Sequence, residues 1–175
     1  MAEAVQGKKV IFLYRVLSDQ AIEDAFIVGY KTEDSLTISK SADSTATKSG
    51  TVRTPAPAEI EHELTSILAV GDTEIKTLKD AMLDDELIEL WLANIDEPVS
   101  GETDKYYGTY YQGYITDYEL TANAEDMVEV TLTIGCNGKG ADGNVTVTES
   151  QIEDASYVFV DTPAVSGSGS GSASS

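Results

Sequence analysis

Residues 110–138 read YYQGYITDYELTANAEDMVEVTLTIGCNG. The second half alternates strictly. Val128, Val130, Leu132, Ile134 and Cys136 share one face, and Met127, Glu129, Thr131 and Thr133 share the other. A period of two over this length is the pattern of a β-strand with one buried face. The first half, from Tyr110 to Thr121, alternates as well, and a short polar stretch joins the two. The block therefore predicts an antiparallel hairpin with a glycine-rich exit. One face is apolar; the other carries Asp117, Glu119 and Thr121 beside Glu129, Thr131 and Thr133.

Outward from this hairpin the chain keeps the same character. Val10–Val16, Phe26–Tyr30 and Ser35–Lys40 read as strands, as do Leu87–Ala93, Val145–Thr148 and Tyr157–Val160. Glu59–Leu68 alternates again, with Glu59, Glu61 and Glu63 on one face and Ile60, His62 and Leu64 on the other. Three carboxylates along one strand face repel each other, so that face must meet water or cations. One helix is predicted, from Asp72 to about Asp85. Asp72 is a suitable N-cap, Glu74 suits the positive helix end, and Ile75, Leu78, Ala81 and Met82 form an apolar stripe. Asp84, Asp85 and Glu86 stand at the unfavourable end of that helix dipole.

Three segments read as irregular: the polar run 39–57 (SKSADSTATKSGTVRTPAP), the connection Asn94–Tyr107, and the turn KGADG at 139–143. The first is too polar to fold onto a core, and a loop of that length inside a domain is usually functional. The end, SGSGSGSASS, is low-complexity. The division expected is one domain over 1–163, its polar arm at 39–57, and a flexible tail over 164–175. No βαβ alternation is present, which argues against a parallel doubly wound sheet.

A chain of 175 residues with 41% hydrophobic content can bury a real core, roughly 70% of its unfolded surface. Its 11 basic residues stand against 31 acidic ones, a formal charge of −20. That balance disfavours nucleic-acid binding by counterion release and docking on anionic lipid. No window reaches the ~20 apolar residues of a membrane span, and MAEAVQGKK is not a signal peptide. The expectation is synthesis and assembly in a reducing cytoplasm. Cys136, the single cysteine, is read as a small core residue, and His62, the single histidine, as a hydrogen-bonded residue of the apolar face. One His and one Cys leave almost no nucleophile–base pair. There is no phosphate loop, calcium loop or zinc ligand set. No enzyme activity, cofactor or metal is expected.

Four segments resemble, in content, order and spacing, the major tail protein (tail tube protein) family of long-tailed, non-contractile phages of Gram-positive hosts. They are ISKSADSTATKSGTVRTP at 38–55, TSILAVGDTEIKTLKDAML at 65–83, GTYYQGYITDYELTANAED at 108–126 and VEVTLTIGCNGKGADGNVTVT at 128–148. The resemblance implies a mainly β fold, an antiparallel sandwich or half-barrel with one flanking helix, shared with type VI secretion tubes. It also implies six-membered rings stacked into a hollow tube within the virion. A tape-measure protein and DNA would pass through the bore, with terminator and distal tail proteins at the tube ends.

Three features fit this implication. A ring disposes of free sheet edges. The polar arm has the composition of a segment ordered by a partner. An acidic bore would let DNA slide. The expected bore-facing residues are Asp117, Glu119, Thr121, Glu129, Thr131 and Thr133, then Glu59, Glu61 and Glu63. Lys40, Asp43, Lys48 and Arg53 are expected to make inter-subunit contacts, with Asp84, Asp85 and Glu86 as acidic partners. The alternatives are a type VI-like secretion tube and a monomeric β-sandwich binding or adhesion module. The module would use Tyr106, Tyr107, Tyr110, Tyr111, Tyr114 and Tyr118 as an aromatic platform.

Overall fold

The computed structural model describes residues 3–156. The strands are β1 (Val10–Val16), β2 (Lys31–Ser39), β3 (Ala42–Thr47), β4 (Gly50–Pro55), β5 (Glu59–Ile67), β6 (Ile88–Pro98), β7 (Lys105–Thr121) and β8 (Glu129–Thr146). Two α-helices, α1 (Thr73–Leu83) and α2 (Glu149–Ser156), and two short 3-10 turns, Gly7–Lys9 and Leu17–Asp19, complete the fold of the described residues. Six strands form one sheet in the order β1-β6-β7-β8-β5-β2, and every pairing in it is antiparallel. β3 and β4 make a separate two-stranded hairpin.

The inward residues of β5 (Ile60, Leu64), β6 (Ile88, Leu90) and β8 (Val130, Leu132, Ile134) meet Phe12, Tyr14 and Val16 of β1 in one core. The sheet curls to allow this. Tyr14 near one sheet margin reaches His62 of β5 near the other, and the Phe12 ring lies 4.2 Å from that imidazole. Helix α1 adds Ile75, Leu78 and Ala81 to the same core, so the fold is mainly β with a flanking helix, as expected. A second apolar cluster covers the opposite face of β1 and β6. It consists of Ile11, Leu13, Ala93, Val145 and Val147, with Ile27 and Ile152 packed against it.

The ends of α1 follow from local chemistry. Asp72 accepts a hydrogen bond from the Ile75 amide at 2.9 Å, the N-cap that the sequence predicts. At the other end Asp85 takes a left-handed backbone (φ 55°), with Glu86 N–H donating to Ala81 O and Asp85 N–H to Met82 O. That is a Schellman closure built without glycine. Asp84 is the C-cap itself.

Several sequence expectations are corrected. Segment 39–57 is not an irregular loop. Its β-branched Thr and Val residues pair across β3 and β4, and Thr47 Oγ1 closes the turn by donating to Gly50 O at 2.6 Å. Phe26–Tyr30 forms no strand, only a bridge between Phe26 and Tyr14. The connection Asn94–Tyr107 is largely strand, with the turn confined to residues 99–104. KGADG lies inside β8, as do Val145 and Thr146. The ladder absorbs residues 138–140 opposite Tyr111, with Gly138 (φ 69°) and Gly140 (φ 76°) taking the backbone no side chain favours.

Helix α2 was not expected. It opens with a capping box in which Gln151 N–H donates to Thr148 Oγ1 and Thr148 N–H to Gln151 Oε1. The strand expected at Tyr157–Val160, the domain boundary at 163 and the tail over 164–175 lie outside the described residues.

Candidate functional site

The register of β7, β8, β5 and β2 places the polar residues of the decisive hairpin on a common face. Asp117 faces Thr133, Thr133 faces Glu63, and Glu63 faces Ser35. The next row is Glu119, Thr131, Thr65 and Glu33, followed by Thr121, Glu129 and Ile67. On the other side Gly135, Glu61 and Thr37 align, and Glu59 faces Ser39. The face thus holds seven exposed carboxylates, those of Glu33, Glu59, Glu61, Glu63, Asp117, Glu119 and Glu129, and no lysine or arginine. Each carboxylate has a hydroxyl residue, a glycine or an isoleucine directly across from it, never a second carboxylate. Thr65 Oγ1 and Thr131 Oγ1 hydrogen-bond across strands at 3.2 Å within this carpet.

A β-bulge produces this alignment. The pairing shifts between Ile115 and Asp117, with Thr116 as the extra residue. Without it the odd-numbered residues of β7 would stay on the core side with Ile115, and Asp117 and Glu119 would be buried. Glu33, placed by the irregularity between Lys31 and Glu33, is a member of the face that sequence alternation missed.

The four-stranded face is bounded by two free edges. β2 is the last strand of the sheet, and β7 is paired with β6 only through residues 106–113, leaving Tyr114–Thr121 with β8 as its one neighbour. The β3–β4 hairpin continues off the β2–β5 end where Ser39 faces Glu59, tied there by Ala56 N–H to Ser41 O. Every residue from Lys40 to Pro55 is exposed. Lys40, Lys48 and Arg53 stand on it against the single carboxylate of Asp43. Among the described residues these three cations form no ion pair, whereas Lys9, Arg15, Lys31 and Lys76 do. Asp84 and Asp85 are exposed at the end of α1, and Glu86 accepts a hydrogen bond from Ser18 Oγ at 3.4 Å.

Beneath the face lies a polar cluster within the core. His62 is fully buried, its Nδ1 is 2.9 Å from Ser35 O and its Nε2 is 2.7 Å from Tyr14 Oη. A carbonyl only accepts, so Nδ1 carries the proton and Tyr14 O–H donates to Nε2. Burial, and then the nearby Lys31 ammonium, push His62 down to about 3, so it is neutral at any ordinary pH. Both ring nitrogens are engaged, in keeping with the expectation of a hydrogen-bonded residue on the apolar face. Lys31 and Asp34 pair at 2.9 Å, the ammonium lying over the Phe12 and Tyr14 rings. Burial lowers Lys31 and raises Asp34 from their ordinary values. Cys136 is half-buried against the core and burial lifts its thiol to about 11, which makes it a poor nucleophile.

A second network, also missed from sequence, joins buried Glu89 to Arg15 Nε (2.6 Å) and Tyr110 O–H (2.7 Å). The tyrosines form no platform. Tyr111 is buried in the main core, Tyr118 packs against it, Tyr106 joins the second cluster, and Tyr110 lies tilted against Trp91 at 5.2 Å; of the six, only Tyr107, opposite Asn144, and Tyr114, opposite Gly135, are exposed.

The sequence from residue 4 to 142 matches the family described as phage tail tube protein. The chain belongs to that family. A tail protein of Staphylococcus phage phiMR25 is 27% identical over 166 residues, which span 93% of this chain and 85% of that protein. The tail tube protein gp17.1* of Bacillus phage SPP1 is 22% identical over 152 residues, and the matched part is 56% of that longer relative. The same fold occurs in the SPP1 tail tube solved by solid-state NMR and cryo-electron microscopy. The TM-score is 0.68 at 21% identity, covering 94% of this chain and 96% of that one. It occurs too in the tail of a gene transfer agent particle, refined with helical, sixfold symmetry, at a TM-score of 0.58 and 10% identity. That match covers 83% of this chain and all of that one. The protein is therefore a structural component of a phage tail, located in the virion. Among the described residues no helix is long and apolar enough to cross a membrane.

Proposed function

We propose that copies of this chain close into six-membered rings and that the rings stack into a tube whose bore is lined by the β7-β8-β5-β2 face. The observation that carries this is the coincidence of one uninterrupted acidic face with two unpaired strand edges on its flanks. An edge strand left open in water is an aggregation template, and pairing β2 of one copy with residues 114–121 of the next closes both. Such pairing repeats around a circle and extends the same face into a continuous inner barrel.

Asp117, Glu119, Thr121, Glu129, Thr131 and Thr133 then face the bore together with Glu59, Glu61 and Glu63. The sixfold tail of the gene transfer agent particle supports the ring size. Six copies would bring about 120 formal negative charges, at −20 each. The wall repels phosphate within a Debye length of roughly 8 Å, so DNA and a tape-measure protein pass without sticking. The exposed hairpin supplies the contact to another copy. A two-stranded ribbon alone is marginal in water, so a fully exposed one implies a partner.

Electron microscopy of the concentrated protein tests the ring and tube. Sixfold tubes are expected; a sample that stays dispersed at 18.7 kDa refutes the proposal. Tubes of a Glu61→Lys, Glu63→Lys, Glu119→Lys variant should retain short DNA that wild-type tubes exclude. Wild-type tubes that bind it equally would reject the acidic bore.

A further inference from the structure

The two free edges that flank the acidic face fit each other in one register, and this inference rests on the ring proposed above. β7 and β5 run one way, β8 and β2 the other. Around a ring, β2 of one copy therefore meets β7 of the next antiparallel, like every pairing already in the sheet. The hydrogen-bond phase of the two edges also agrees. Leu68 N–H donates to Val128 O at 2.8 Å, and Ile67 N–H to Tyr30 O at 3.1 Å. Antiparallel ladders alternate, so even-numbered residues of β5 and β8 bond each other, while odd-numbered ones bond β2 and β7. The backbone groups left pointing outward then belong to Leu36 and Ile38 on β2 and to Tyr118 and Leu120 on β7. Even-numbered residues must meet even-numbered ones across the boundary, which keeps the acidic residues on one side.

Side chains separate the registers that remain. Setting Glu33 across from Asp117 or from Glu119 would oppose two carboxylates, which the sheet avoids everywhere inside one copy. On the core side Ile38 is 61% exposed and Leu120 48%, apolar edges with no cover in a single copy. Placing Ile38 across from Tyr118 brings Leu36 across from Leu120 and covers both. The same placement sets Ser35 across from Thr121, Thr37 across from Glu119 and Ser39 across from Asp117, so each of these carboxylates again faces a hydroxyl. One step back, Asp34 would meet Leu120, and Ile38 the bulge residue Thr116. One step on, Tyr118 would meet Lys40.

Barrel geometry favours the same choice. Inside one copy Glu119 lies in the row of Glu33, four residues from Thr37. The stagger is thus four residues for each copy's four strands, and a rise of ~3.4 Å against a spacing of ~4.8 Å gives a strand tilt of about 35°, within the usual range for barrels. One step back gives a tilt of about 20°, and one step on about 47°. We propose that β2 and β7 of neighbouring copies pair with Ile38 across from Tyr118 on the core side and Thr37 across from Glu119 on the bore side. The edges are thereby complementary to each other on both faces, and ring closure buries the exposed Ile38 and Leu120.

Three double variants read the register, with Glu119→Cys combined in turn with Ser35→Cys, Thr37→Cys and Ser39→Cys, all in a Cys136→Ala background. Odd-numbered residues form the close, non-hydrogen-bonded pairs across this boundary, with Cα atoms about 4.5 Å apart and within disulfide reach, whereas a partner two residues away stands about 7–8 Å off. Tubes are oxidised, denatured and separated without reductant. The Thr37→Cys pair should give a covalent ladder that ends at six chains, and the other two pairs single chains. A ladder led by Ser35→Cys or Ser39→Cys overturns the register, as does the absence of a ladder from all three. Where a cysteine variant does not assemble, a cryo-electron microscopy reconstruction of wild-type tubes decides. Ile38 across from Tyr118 is expected there, and any other residue in that place overturns the register while leaving the ring intact. A wild-type protein that forms no tubes fails the ring proposal itself.

Discussion

His62 should set how this fold responds to mild acid. In the folded protein burial and Lys31 hold its pKa at about 3, against an ordinary 6.5. Between those values the unfolded chain binds a proton that the folded chain refuses. The stabilisation is complete above pH 6.5 and is lost as pH falls toward 3. From pH 7 to 5.5 the loss works out at about 1.2 kcal/mol for one such group. The charged and titratable groups facing the ring are Tyr14 of β1 and Lys31 and Asp34 of β2. Asp34 acts in the opposite direction, because burial raises it and protonation then favours the folded state. Relief of charge repulsion among 31 carboxylates has the same opposite sign. His62→Gln removes only the histidine's contribution, so the difference between its slope and the wild-type slope isolates His62, the only histidine. Urea unfolding, followed by the fluorescence of the single Trp91 at a concentration where the protein is dispersed, measures the slope. His62→Gln keeps a group able to bond Ser35 O and Tyr14 Oη and should flatten it. A His62→Gln curve with the same slope as wild type refutes the reasoning.

Two further outcomes follow from the register and the bulge. Thr133→Glu places a third carboxylate directly between Asp117 and Glu63 and should cost about 0.5–2 kcal/mol in dilute buffer, shrinking in 0.5 M NaCl; a loss equal to that of Thr133→Gln at both salts contradicts it. Gly140→Ala should cost about 1–3 kcal/mol by thermal unfolding, since φ is 76° and a Cβ would lie 2.4 Å from the Tyr111 ring; equality with Gly143→Ala, where a Cβ meets open space, removes the strain argument.

What the sequence revealed and what it hid divide along physical lines. β8 and β5 were legible because one face of each is buried, which forces alternation along the paired hairpin residues, whereas in β7 the bulge at Thr116 interrupts the alternation. The opening of α1 was legible because Asp72 and the Ile75, Leu78, Ala81 stripe each have a single helical meaning. The β3–β4 hairpin was not, because neither of its faces meets the core and nothing in ADSTAT or GTVRTP distinguishes inside from outside. The glycines of β8 read as a turn, yet a long ladder can carry them as a bulge when β7 supplies the partner residues. The sequence Thr-Glu-Ser-Gln at 148–151 held a capping box that would have revealed α2. The buried charges were hidden for a different reason. Lys31, Asp34 and Glu89 look like surface residues until their partners are known, and the partners of Glu89 come from strands far apart in sequence.

The acidic face raises the question of how a single sheet holds seven carboxylates without unfolding itself. The answer lies in the interleaving. Directly opposed residues on neighbouring strands sit about 5 Å apart, where like charges destabilise, whereas diagonal neighbours stand about 7–8 Å apart. In this register every direct position across from a carboxylate is Thr, Ser, Gly or Ile. The nearest carboxylates are i,i+2 neighbours along one strand, about 6.6 Å apart (Glu59, Glu61 and Glu63; Asp117 and Glu119), followed by diagonal pairs such as Glu119 with Glu129 or Glu33 with Glu63. At physiological salt the Debye length is roughly 8 Å, so the repulsion inside one copy is already partly screened. The same charges, projecting outward from a single face, still add in the field that a passing polyanion meets. Hydroxyl residues on this face therefore act as spacers. They let a chain concentrate negative charge on one surface at little cost to its own folding, which scattering the same residues over all surfaces would not achieve.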